Sequence, residues 1–161
     1  MDESPTVGEA PRATAVRLAR SKAEAAAKQF PGACIVGSDQ VADHAGRPVG
    51  KPGSLEAARA QLRAMRGHVV VFHTALCVIS PAGRLREILV PTDVAFRNLT
   101  DDEIERYLAR EPAFDCAGSA KSEGLGIALL DRLSGDDPTA LVGLPLVALA
   151  AMLREEGFQV P

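Results

Sequence analysis

A long run rich in Val, Ile and Thr precedes Pro81-Ala82-Gly83 and a second long run follows it, and together they limit the folds open to this chain more than any other feature. Residues 68–80 and 84–97 read as strands, with the Pro-Ala-Gly step as a hairpin turn between them. Strands joined by so short a turn must be antiparallel. Elsewhere helix and strand signals alternate. Residues 12–28 are dense in Ala, Arg, Lys and Glu, all strong helix formers. Pro11 is placed to open that helix, and Phe30-Pro31-Gly32 to stop it. Ala33-Cys34-Ile35-Val36-Gly37 is a short apolar run, the pattern of a strand buried on both faces. Residues 43–53 hold Gly46, Pro48, Gly50, Pro52 and Gly53, and so form a loop or loose hairpin. Ser54 caps a helix to about Met65, which Gly67 ends. Thr100-Asp101-Asp102-Glu103 is a capping box for a helix to about Arg110. Residues 127–133 read as a strand. Leu146, Leu149, Ala150 and Leu153 mark the buried stripe of a final helix. An alternating chain broken by one long hairpin predicts an α/β fold, a mixed β-sheet flanked by helices.

A chain of 161 residues, 47% of them hydrophobic, suits one domain over 1–161, or two small lobes sharing a core. Aromatic residues are only 4%, with no Trp and one Tyr, which argues against base-stacking platforms. A net charge of −3 argues against a duplex-binding surface. Nucleic acid is therefore not an expected partner. The longest apolar run, residues 144–153, covers about half of the roughly 20 residues a membrane span needs. The N-terminus is acidic and polar, unlike a signal peptide. Cys34, Cys77 and Cys116 form no Cys-x-x-Cys pair and no disulfide framework. A cytoplasmic setting is the expectation.

Asp39 lies in Gly37-Ser38-Asp39-Gln40-Val41, just past the predicted short strand. Ligands of α/β sheets gather beyond the carboxyl ends of strands; a carboxylate that merely caps a turn is the alternative. Lys51, in Gly50-Lys51-Pro52-Gly53, could face a phosphate from a rigid loop, or be a solvated loop lysine. Lys22, among alanines of the first helix, reads by itself as a surface charge. Residues 115–126 set Lys121 and Glu123 among small residues, which let a ligand approach the backbone. That segment lacks the Walker A order. The three histidines show no metal-ligand spacing. Ser134-Gly135-Asp136-Asp137-Pro138 reads as a solvated turn, with cation binding as the alternative.

Together these segments resemble the Maf family of nucleoside triphosphate pyrophosphatases. The resemblance runs from Asp2-Glu3 to the last helix. It is carried by Gly37-Ser38-Asp39-Gln40-Val41, Gly50-Lys51-Pro52, Ala117-Gly118-Ser119 through Glu123-Gly124-Leu125-Gly126, and Gly143-Leu144-Pro145-Leu146. The wording Asp39-Gln40-Val41 and Cys116-Ala117-Gly118-Ser119 is similar to the subgroup acting on 7-methyl-GTP, whereas the dTTP/UTP subgroup typically has Asp-Thr at the first motif. The resemblance implies a two-lobed fold and hydrolysis between the α and β phosphates of a nucleoside triphosphate. It also implies a divalent cation, magnesium or manganese, and commonly a homodimer. By motif match, Asp39 is the proton acceptor, and Glu3, Lys22 and Lys51 are the other active-site acid and lysines. Gln40 and Glu123 match positions linked to base selectivity. Glu3 and Asp39 are the implied metal ligands.

The family usually opens with a strand and Ser-x-Ser-Pro-Arg-Arg ahead of the Asp-Glu pair, whereas this sequence starts at Met1-Asp2-Glu3. The expectation is loss of a phosphate-facing arginine and of a first strand, which exposes an apolar edge. Two alternatives follow: a non-catalytic nucleotide-binding remnant, and a pyrophosphatase for dTTP, UTP or a modified pyrimidine nucleotide.

Overall fold

Helix α1 (Pro11–Gln29) starts with proline at its first position, where the missing N–H costs nothing. Its N-cap, Ala10, offers no side-chain bond. Glu9 fixes the entry instead: its carboxylate accepts from the Thr6 N–H, the Thr14 hydroxyl and the Arg17 guanidinium. The computed structural model describes residues 3–161, and Asp2 of the Asp2-Glu3 pair lies outside them. After α1 come β1 (Ile35–His44), β2 (Arg47–Val49), α2 (Leu55–Met65), β3 (Val69–Ile79), β4 (Leu85–Phe96), α3 (Asp101–Arg110), β5 (Leu130–Gly135) and α4 (Leu146–Glu155).

The strands form one sheet in the order β2-β1-β3-β4-β5. Ala42 pairs with Val49 and His44 with Arg47 in the first hairpin. In the second, the Ser80 N–H donates to Arg84 O at the turn, and the Phe96 N–H to His68 O at the far end. The predicted α/β class with flanking helices holds. The sheet is antiparallel, where the sequence suggests a mixed one.

Two compact units divide the chain. The first takes residues 3–40, 73–92 and 135–161; the second takes 41–72 and 93–134. In the first, Ala15, Leu18, Ala19 and Ala23 of α1 are buried at helical spacing, and Leu76 and Val78 of β3 are buried too. In the second, α2 packs on α3, burying Leu62, Met65, Ile104 and Leu108. Ser54 caps α2 by accepting from the Ala57 N–H, and the Thr100–Glu103 capping box of α3 is complete. No helix of the described residues is long and apolar enough to cross a membrane.

Three elements differ from the sequence reading. The strand predicted to end at Gly37 runs on to His44, and Val36 is 41% exposed, so it is not buried on both faces. It continues through Ser38, Asp39 and Gln40 because each of these polar side chains finds a partner. The strand predicted over 127–133 is displaced to β5, because residues Leu125–Leu129 form a 3-10 turn. The stripe predicted on α4 is not buried: no residue of the helix is, and Leu146 is 49% exposed.

Candidate active site

Strand β1 alternates its side chains between two faces, and that alternation organises the first unit. Asp39 meets α1, where the Lys22 Nζ donates to its Oδ1 at 2.6 Å. The same ammonium lies 2.8 Å from a Glu3 carboxylate oxygen. Asp39 is nearly enclosed, with its side chain 11% exposed, whereas Glu3 is open to solvent at 53%. Burial works against the Lys22 charge, but the hydrogen bonds to Asp39 and Glu3 outweigh it, and its pKa is raised. The lysine that reads in the sequence as a surface charge is therefore held between two carboxylates.

Close packing of α1 on β1 makes this possible. A Cβ at Gly37 would sit 2.7 Å from the Ala23 nitrogen, and closer still to the Ala19 carbonyl. Only glycine lets the helix approach near enough for Lys22 to reach the strand.

Ser38 and Gln40 project from the other side of β1. The Ser38 hydroxyl lies 2.8 Å from both Ala75 O and Gly143 O. The Gln40 amide nitrogen lies 2.8 Å from Thr74 Oγ1, 2.9 Å from Ala140 O and 3.1 Å from Leu141 O. Both side chains thus grip the 3-10 turn Ala140–Val142 and the glycine after it. Asp137 braces that turn from its start. It is not a solvated turn residue: it is 4% exposed and accepts from the Thr139 N–H and hydroxyl and the Val147 N–H. Burial alone would raise its pKa, but these donors prevail and lower it. Thr139 in turn accepts from the Leu146 N–H, at the start of α4.

Lys51 and Glu123 belong to the second unit. Lys51 is exposed, in the loop after β2. The loop bearing Glu123 is tied down by its neighbours. The Lys121 N–H donates to the Tyr107 hydroxyl, and the Gly126 N–H to the Glu111 carboxylate. Gly118 takes a φ of +73°, in the left-handed region that glycine enters without strain. A Cβ there would also meet the Phe72 ring at 3.1 Å. Buried Ser119 donates to Gln61 Oε1 at 2.6 Å. Lys121 pairs with Asp115 at 2.9 Å and holds that carboxyl below its usual range, with Lys51 adding to the effect.

Sequence reasoning singled out Asp39, Lys22, Glu3 and Gln40, and the structure gathers all of them in the first unit. It missed Thr74, and it missed what Ser38 and Asp137 hold. A buried Thr in a Val-rich strand gives no sign of itself. The Ser-x-Gln spacing around Asp39 was the one available signal.

Two carboxylates within 2.8 Å of one ammonium are hard oxygen donors of the kind magnesium or manganese takes. Among the described residues, no group of three or more His, Cys, Asp or Glu could hold a metal ion alone. Glu3 and Asp39 are the carboxylates a cation would find here, and the Lys22 ammonium already lies between them.

A family model described as Maf-like protein matches residues 1–156. The chain is 57% identical over 161 residues to a 7-methyl-GTP pyrophosphatase of Xanthomonas oryzae pv. oryzae (strain MAFF 311018), covering 100% of this chain and 84% of that protein. A protein of the same description from Aromatoleum aromaticum is 57% identical over 162 residues, with the same coverage. One from a Polaromonas species is 57% identical over 158 residues, covering 98% of this chain and 72% of the relative.

Proposed function

The chain belongs to the Maf family, and from that premise we propose that it is a nucleoside triphosphate pyrophosphatase acting on 7-methyl-GTP, releasing the nucleoside monophosphate and pyrophosphate. The observation that carries the reading is Lys22 held between Glu3 and Asp39, in a chain so similar over its whole length to proteins described by that activity.

The chemistry follows from charge. Water attacks the α phosphorus of a polyanion, and the transition state spreads negative charge over its oxygens. Positioned cations lower that barrier most. Lys22 supplies one such charge. Lys51 is proposed as a second, on the strength of its motif and its exposure. Asp39 lies beside Lys22, which donates to its Oδ1 at 2.6 Å. As phosphate oxygens take over the Lys22 ammonium, an oxygen of Asp39 is released to accept the proton of the attacking water. A divalent cation at Glu3 and Asp39 would supply further charge neutralisation. The base bears a positive charge after N7 methylation. Glu123, exposed in its loop, is suited to favour that charge and to accept from N1–H and N2–H.

The test is pyrophosphate release from a panel of nucleoside triphosphates with magnesium or manganese. Wild type is expected to prefer 7-methyl-GTP, and Asp39→Asn to lose about 100-fold or more in kcat. Equal activity in the two would sink the mechanism. Preference for dTTP or UTP would sink the substrate assignment, and binding without hydrolysis would indicate a nucleotide-binding protein.

A further inference from the structure

The Gln40 side chain has a fixed direction. Its amide nitrogen faces Thr74 Oγ1, Ala140 O and Leu141 O at 2.8, 2.9 and 3.1 Å. Thr74 is fully buried, and its hydroxyl donates to Ala140 O at 2.9 Å. A hydroxyl has one hydrogen, so toward Gln40 Thr74 can only accept. The two carbonyls also can only accept. Acceptors alone therefore converge on one end of the amide, and only its NH2 satisfies them. A flipped amide would set oxygen against oxygen. The Oε1 is turned the other way and receives no bond from the described residues. Gln40 is half-buried.

An ordinary glutamine offers a base both a donor and an acceptor. This one has spent its donors inside the protein. We propose that Thr74, with the carbonyls of Ala140 and Leu141, is a positioning residue that locks Gln40 as a hydrogen-bond acceptor toward the substrate base. The site thereby selects base edges that bring an N–H donor, as guanine does with N1–H and N2–H2. It disfavours edges led by a ring acceptor, as cytosine N3 is. The selection rests on the nucleotide reaction proposed above; the lock rests on the geometry alone. A glutamine free to rotate would offer its NH2 to cytosine and its oxygen to guanine, and would discriminate poorly.

The experiment pairs kinetics with a direct view of the amide. In wild type, the Gln40 side-chain N–H protons, identified by their loss in Gln40→Thr, are expected to exchange slowly with solvent in NMR spectra. In Thr74→Val they should exchange faster. The ratio of kcat/KM for 7-methyl-GTP over CTP should fall roughly three- to tenfold, the weight of about one hydrogen bond. Thr74→Ser, which keeps the hydroxyl, should restore both. Free-glutamine exchange rates in wild type would overturn the lock. Slow exchange with an unchanged ratio, or equal losses on both nucleotides, would overturn the selection. A wild type inactive on every triphosphate would overturn the proposed reaction, while slow exchange would still uphold the lock.

Discussion

Asp137 keeps its charge inside the protein because donors surround it. The Thr139 N–H, the Thr139 hydroxyl and the Val147 N–H all point at its carboxylate. Asp137→Ala leaves these groups without an acceptor in a site that is 4% exposed. The expected cost is about 1–3 kcal/mol, read from urea unfolding. Asp137→Asn should cost less, since the amide keeps one acceptor oxygen. The sequence could not reveal this role. Asp136-Asp137-Pro138 looks like any solvated turn, and the bond that distinguishes it reaches a residue ten positions away. Asp39 was legible for the opposite reason, since its immediate neighbours carry the motif. Its engagement with Lys22, 17 residues earlier, was not.

Helices and strands were read best where their signals are local. Ser54 and Thr100 cap the helices they precede, and each acts within one turn of itself. Thr100→Ala removes the acceptor for the Glu103 N–H, one half of the reciprocal pair, and leaves the Thr100 N–H bond to the Glu103 carboxylate. It is expected to cost about 1 kcal/mol, measured as a drop in the denaturation midpoint. The extent of β1 was read worst. Ser38-Asp39-Gln40 looks like the end of a strand until its partners on α1, β3 and the 140–143 turn are seen. The α4 stripe failed in a related way, because periodicity reports which face is apolar and not whether anything covers it. Where α1 meets β1, the glycine is decisive. Gly37→Ala pushes a methyl into the Ala19 and Ala23 backbone. Overpacking of this kind costs about 1–3 kcal/mol. It should also cut the pyrophosphatase rate, because separating α1 from β1 draws Lys22 away from Asp39. A Gly37→Ala protein with unchanged stability and rate would contradict that packing.

Each unit of the molecule has a carboxylate ready to make it acid-sensitive. In the first, Glu9 is pushed down to about 2, chiefly by the Arg17 hydrogen bond. In the second, Glu103 is pushed down to about 2, first by the Thr100 N–H and then by Arg97. Both start from 4.5 in an unperturbed chain. Folded pKa values below the unfolded ones mean that the stabilisation is complete above pH 4.5 and drains away as the pH falls toward 2. The thermal midpoint should fall across that window, and Glu9→Gln with Glu103→Gln should flatten the fall. The alternating helix and strand pattern made the fold class readable, while the bounds of the two units were not, because both are assembled from separated segments. That assembly has a consequence for biosynthesis. Three of the carbonyls that seat Gln40 and Ser38 lie 100 to 105 residues further along the chain. At the usual pace of about 5–20 residues per second, roughly 5–20 s separate the making of this strand from the making of the turn that completes it. Ser38 and Gln40 therefore leave the ribosome well before the carbonyls of Ala140, Leu141 and Gly143 exist, and until then only Ala75 and Thr74 can engage them.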